Sequence, residues 1–202
     1  CKIRGECLTM RIAIDAMGGD FAPDEILAGV IESIQYLEKG DTLILLGPAE
    51  VIESKIGSKD LKKYADVIRI VNAPEIIAMD EPPVDALRKK RNSSIAIMNK
   101  MAAEGEVDAV ISAGNTGACV AASQLRMRNI EGVNRPGIAV VFPTFEGPVT
   151  MCDVGANISC KPMNFYQFPP PNSGAAVRSL AALPPAFPTD APGFVWCTLA
   201  RS

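Results

Sequence analysis

Apolar and polar positions alternate in blocks from residue 11 onward. Four continuous apolar runs, "RIAID" (11–15), "DTLILLG" (41–47), "DVIRIVNA" (66–73) and "VDAVISAG" (107–114), read as strands buried on both faces. Between them the apolar positions recur at helical spacing. "PDEILAGVIESIQYLEKG" (23–40) predicts an amphipathic helix with Pro23 near its start, acids in its first turn and Gly40 at its end. "PAEVIESKIG" (48–57) and "SKDLKKYA" (58–65) predict short helices. "SSIAIMNKMAAEGE" (93–106) predicts another, with Ser93 or Ser94 as its N-cap, and "TGACVAASQLRMR" (116–128) the helix after the fourth strand. "GIAVVFPT" (137–144) and "PVTMCDVGAN" (148–157) look like two further strands joined through "FEG". Strand, loop and helix therefore alternate, which is the pattern of an α/β protein whose parallel sheet is covered on both faces.

The pattern stops after Phe168. Prolines crowd residues 169–202, charges nearly vanish, and neither the helical nor the strand period is sustained. The expectation is an irregular Pro-rich tail, with a shifted reading frame as its origin and a natural linker as the alternative. At the other end, "CKIRGECLT" reads as an extension ahead of Met10. The expected organisation is an extension (1–9), an incomplete α/β domain (10–168) and the tail (169–202).

Composition narrows the chemistry. The net charge of −3 and pI of about 5.1 argue against nucleic acid as a partner. No apolar run reaches the roughly 18 residues of a membrane span. The six cysteines form no C-x-x-C pair and read as free thiols. The chain has no histidine, which removes the His-based triads, the H-E-x-x-H zinc sites and the usual general base.

Three loops share one character. "IDAMGGDFAP", "ISAGNTGACV" and "CDVGANISCKP" each lead out of a buried strand into Gly, Asn, Asp, Ser or Thr. Ligands of open parallel sheets bind at the carboxyl ends of strands, where glycine admits a close backbone approach and a following helix N-terminus favours an anion. "AGNTGA" is thus a candidate phosphate cradle, although it is neither a dinucleotide fingerprint nor a P-loop. Taken singly, Gly18 and Gly19 read as a tight turn, Gly114 and Gly117 as easy packing, and Asp153 as a cap; three such loops at the strand ends of one domain favour a ligand site instead. Asp15 with Asp20 is too small a carboxylate pair to specify Mg²⁺. Cys152 and Cys160 lack the histidine that would activate an acyl-cysteine. No metal and no cofactor are expected.

In order and spacing, "MRIAIDAMGGDFAP", "DEPPVDALRKKRNSSI", "VDAVISAGNTGA", "EGVNRPGIAVVFPT" and "CDVGANISCKP" resemble the motifs of the bacterial phosphate acyltransferase (PlsX) family. These are acyl-[acyl carrier protein]:phosphate transacylases of phospholipid synthesis. The resemblance runs from Met10 to about Phe168, the first half of a typical member. It departs at Phe21, where members usually carry His, and at Asn92, where an acid is common.

The resemblance implies a three-layer α/β/α fold of the phosphotransacetylase and isopropylmalate dehydrogenase type. It implies a homodimer in the cytoplasm with a peripheral membrane contact. It also implies a reaction in which inorganic phosphate attacks the thioester of an acyl-[acyl carrier protein] to give acyl phosphate. Phosphate is already an anionic nucleophile, so it needs positioning and charge neutralisation more than a strong base. On these motif positions the expected phosphate-binding set is Gly18, Gly19, Asp20, Ser112, Gly114, Asn115, Thr116, Gly117, Asp153 and Gly155. Lys161 offsets charge, Asn157 or a nearby N–H polarises the carbonyl, and Asp15 and Asp20 orient the cationic groups or bind a metal; Lys161, Asn157 and Asp15 are the expected catalytic residues. The basic run Arg88, Lys89, Lys90 and Arg91 reads either as a solvated helix end or as a docking patch for the acidic carrier protein. Two alternatives stay open, a phosphotransacetylase acting on acyl-CoA and a non-catalytic fragment that retains phosphate binding.

Overall fold

The computed structural model describes residues 2–3, 6–7, 9–127, 139–142, 149–152 and 196–199. The chain divides into two units, one of residues 2–127 with 193–202 and the other of residues 128–192 together with residue 1.

The first unit opens with a small antiparallel pair, β1 (Lys2–Ile3) and β2 (Glu6–Cys7). The main sheet follows from β3 (Arg11–Asp15), β4 (Thr42–Gly47), β5 (Ile68–Asn72) and β6 (Ala109–Ser112), the four apolar runs. All four are parallel, in the order β5-β4-β3-β6. The intervening helices are α1 (Asp24–Ser33), α2 (Ala49–Ile56), α3 (Ser58–Lys63), α4 (Pro83–Lys89), α5 (Ser94–Ala103) and α6 (Thr116–Met127).

Side-chain alternation along the strands divides the core in two. Ala13, Ile44, Leu46 and Val110 face one way and pack with α4, α5 and α6 through residues such as Leu87 and Met98. Ile14, Leu43, Leu45 and Ile68 face the other way and pack with α1 and α2 through Leu27, Val30 and Ile52. Two apolar faces on one sheet require two helical layers, and the result is the expected α/β/α arrangement. At the amino ends of the central strands, Arg11 donates to both carboxylate oxygens of Asp108, at 3.0 and 3.2 Å, and to the Gly105 carbonyl at 2.8 Å. That pair fastens the start of β3 to the start of β6.

Two elements differ from the periodicity, and one expected strand pair departs from the parallel pattern. The helix expected over 23–40 ends at Ser33 and tightens into a 3₁₀ turn at Ile34–Tyr36. Leu37 then turns to extended backbone and packs under the sheet with Ile34, so apolar burial there is met without a longer helix. In the second unit, β7 (Ala139–Phe142) and β8 (Val149–Cys152) pair antiparallel with each other. Finally, residues 169–195 of the expected irregular tail lie outside the described residues, but Trp196–Leu199 forms β9, antiparallel to β6 at the sheet edge.

The order β5-β4-β3-β6 has one consequence for function. From β3 the chain moves outward through β4 and β5, then returns to place β6 on the other side of β3. The loops after β3 and β6 therefore leave in opposite directions. The crevice between them is the position where open α/β sheets bind ligands.

Candidate anion-binding site

Asp15 ends β3 and is 2% exposed. Its Oδ1 accepts from the Met17 N–H at 3.1 Å and its Oδ2 accepts from the Ser112 hydroxyl at 2.8 Å. Ser112, the last residue of β6, in turn accepts from the Gly114 N–H at 3.0 Å. One buried carboxylate thus orders both loops at the switch point. Burial holds the Asp15 carboxyl above its ordinary value, while Ser94, Ser112 and the Met17 N–H favour its charged form.

Glycine is required where the loops meet. A methyl group on Gly18 would lie 2.7 Å from Asp15 Oδ2 and 2.7 Å from the backbone nitrogen of Gly114. One on Gly114 would lie 3.2 Å from Asp15 Oδ2 and from the Gly18 Cα. Gly19, next in the chain, has φ +111°, a conformation that side chains disfavour.

Beyond this contact α6 begins at Thr116. Asn115 is buried and caps the helix, its Oδ1 accepting from the Ala118 N–H at 2.9 Å. The amide N–H groups of Thr116 and Gly117 belong to the first turn, which helix geometry leaves without intrahelical acceptors, and the helix dipole favours negative charge there. Thr116 and Asp20 are exposed and Gly19 is half-buried. This arrangement suits a small oxyanion held by backbone N–H groups.

The expected site residues therefore separate by role. Asp15, Gly18, Ser112 and Gly114 come together as the buried support. Gly19, Asp20, Thr116 and Gly117 belong to the less buried parts of the same loops. Gly117 also admits a neighbour, since a methyl group on it would lie 2.5 Å from Pro83 Cγ at the start of α4. The side chain of Asn115 is engaged by protein on both sides of its carboxamide, so it offers a ligand its backbone only. Asp153, Gly155, Asn157 and Lys161 lie outside the described residues, as does Cys160. Cys119, in the second turn of α6, is a buried thiol whose pKa is pushed up to about 11, chiefly by burial. It is neutral at physiological pH and not an activated nucleophile.

The basic run also divides. Arg88, Lys89 and Arg91 are exposed. Lys90 instead pairs with Glu81 and donates to the Ile76 carbonyl at 2.6 Å. Sequence reading missed this strut and the 76–82 loop it supports. The available signal was the acid of "DEPP" placed ahead of the basic run, in a motif whose first half carried no assigned role.

A parallel α/β/α unit with glycine loops and a helix N-terminus at its switch point belongs to the open-sheet class, whose ligands bind at that position. The model of the fatty acid synthesis protein family matches residues 10–175, and the chain belongs to that family, the phosphate acyltransferase (PlsX) family. Among its relatives, a protein from Desulforamulus reducens named phosphate acyltransferase is 44% identical over 159 residues, 79% of this chain and 46% of that protein. One of the same name from Heliobacterium modesticaldum is 47% identical over 161 residues, again 79% of this chain and 47% of that protein. A third, from Thermoanaerobacterium thermosaccharolyticum, is 45% identical over 163 residues, 79% of this chain and 45% of that protein. The chain spans about half the length of the curated relatives it matches. Among the described residues no helix is long and apolar enough to cross a membrane.

Proposed function

We propose that this chain carries the phosphate-binding half of a phosphate acyltransferase, which makes acyl phosphate from acyl-[acyl carrier protein] and inorganic phosphate for phospholipid synthesis. The observation that carries the reading is the junction of the two glycine loops by Asp15 and Ser112 at the switch point, in a chain whose family relatives are named for this activity. Backbone N–H groups around Gly19 and at the first turn of α6 hold orthophosphate. An oxygen of hydrogen phosphate attacks the thioester carbonyl, a C–O bond forms, the C–S bond breaks, and the phosphate proton leaves with the carrier thiol. By family motif position, Lys161 is assigned to offset the phosphate charge, Asn157 to polarise the carbonyl, and Asp153 and Gly155 to phosphate binding. A cytoplasmic homodimer with peripheral membrane contact belongs to the same proposal.

The half-length match favours a second reading, a fragment that binds phosphate without turnover. Hydroxylamine trapping separates the two, because acyl phosphate yields an acyl hydroxamate. With acyl-[acyl carrier protein] and phosphate, the chain is expected to form hydroxamate in a phosphate-dependent manner. Phosphate-induced shifts in amide resonances at residues 18–20 and 114–117 without hydroxamate support the fragment. Hydroxamate formed faster from acyl-CoA supports the phosphotransacetylase alternative. No phosphate-induced shift in either loop removes the anion site altogether.

Docking of the acidic carrier protein is assigned to Arg88, Lys89 and Arg91. Replacing these three with alanine is expected to weaken carrier association about tenfold at low ionic strength and to flatten its salt dependence, because exposed charges steer association. Lys90→Ala should leave that salt slope unchanged, its ammonium being engaged by Glu81. Fluorescence anisotropy of labelled carrier protein across a salt series measures both. An unchanged slope in the triple variant removes the docking patch.

A further inference from the structure

We infer that Asn115 is a positioning residue whose carboxamide clamps the 78–81 loop to the first turn of α6, so that the anion loop and the segment leading into α4 form one preorganised unit. This rests on the anion-binding reading for its functional consequence, while the clamp itself rests on geometry alone.

The Asn115 amide nitrogen donates to three carbonyls of that loop, Ala78 at 3.1 Å, Met79 at 3.2 Å and Glu81 at 3.0 Å. An amide has two hydrogens, so one of them is shared between carbonyls. Its oxygen is meanwhile fixed by the Ala118 N–H. One buried side chain therefore satisfies a loop and a helix terminus at once, across more than thirty residues of sequence.

The loop is braced from its other side as well. Glu81 accepts from the Ala78 N–H at 2.8 Å and pairs with Lys90, and Lys90 holds the Ile76 carbonyl. Two residues past Glu81, Pro83 opens α4 and packs on Gly117. Asn115 and the Gly117–Pro83 contact are thus two fastenings between the same pair of segments. The exposed side chain of Met79 is carried on this braced loop, directly beside the anion loop. A rim already held still does not have to be ordered when the ligand binds, so affinity is not reduced by that step.

Asn115→Asp separates the two halves of the side chain's work. It retains an acceptor for the Ala118 N–H and at neutral pH has no donor for the three carbonyls. Hydrogen exchange of the full chain, read by residue, is expected to quicken about tenfold or more at Ala78 and Glu81 in this variant, with Ala118 unchanged. Asn115→Ala should quicken all three and should weaken orthophosphate binding, measured by phosphorus-31 line broadening, by about tenfold. Neutral alanine introduces no new repulsion, so that loss reports positioning.

A residue with only a general stabilising role would quicken the sheet amides of Ile12–Ile14 to the same degree, and that result would overturn the clamp. Unchanged exchange at Ala78 and Glu81 in Asn115→Asp also overturns it. A loosened loop with unaltered phosphate affinity in Asn115→Ala overturns the positioning role. If the unmodified chain shows no line broadening, the anion reading and the positioning role fail together, and the exchange data still decide the clamp.

Discussion

Gly18→Ala is expected to abolish orthophosphate binding, lowering affinity at least a hundredfold while leaving a folded α/β unit. The reason is contact with atoms that have no freedom to retreat. The added methyl would sit 2.7 Å from a backbone nitrogen, that of Gly114, and equally close to Asp15 Oδ2. The Gly114 N–H is held by Ser112 and the Asp15 oxygen by the Ser112 hydroxyl, so relief of either clash breaks the junction that defines the site. Opening the loops by an ångström or so displaces donors that must converge on one small anion, and misplacement on that scale costs about a hundredfold. Gly29→Ala is the matched control. Gly29 lies within α1, and a methyl group added there would meet nothing within 4 Å, so alanine should raise stability by roughly 0.5–1 kcal/mol and leave binding unchanged. Calorimetric titration with phosphate and urea unfolding compare the pair. Retention of phosphate binding by Gly18→Ala within a few-fold would remove the loop junction from the site.

How much of this was legible beforehand depended on the range of the interaction. "RIAID" and "DTLILLG" became β3 and β4 nearly residue for residue, because a buried strand announces itself through consecutive apolar side chains. Ser93 as the cap of α5 was equally local, its hydroxyl accepting from Ala96 N at 3.4 Å. The meeting of the loops after β3 and β6 followed from a general rule for parallel sheets, while the third glycine loop lies outside the described residues. The partners within the site did not. Ser112 and Asp15 are 97 positions apart, as are Arg11 and Asp108, and no periodicity carries such a pairing. Asn115 was expected beside phosphate because the family motif places it in the candidate cradle. Its carboxamide is taken up by a loop that the hydrophobic pattern left blank. α4 escaped for a related reason, since seven residues led by two prolines give too short a window for a helical period. The basic run was legible as charge, but only geometry separates Lys90 from its three neighbours.

The second large effect is a pH dependence that sets unmodified chain and Asp15→Asn apart. Burial is the leading influence on the Asp15 carboxyl and raises its pKa above the ordinary 3.8. Below that value the group is protonated both folded and unfolded and contributes no slope. As pH rises past it the unfolded chain loses its proton first, while the native carboxyl still holds one. The native state then binds more protons than the unfolded state, so stability declines with rising pH, by up to about 1.4 kcal/mol for each pH unit of that window. Once pH exceeds the native-state value, both states are ionised and the decline stops. Asparagine cannot ionise, yet its amide oxygen still accepts from Ser112 or Met17. The stability of Asp15→Asn minus that of the unmodified chain should therefore climb from about pH 4 and level off only once pH exceeds the raised native-state value. Urea unfolding of both proteins between about pH 4 and about pH 8 measures the difference directly. A flat difference would mean that Ser94, Ser112 and the Met17 N–H offset burial fully. A difference that falls with pH would mean that they exceed it, making Asp15 a carboxylate held in its charged form by the very hydrogen bonds that join the two loops.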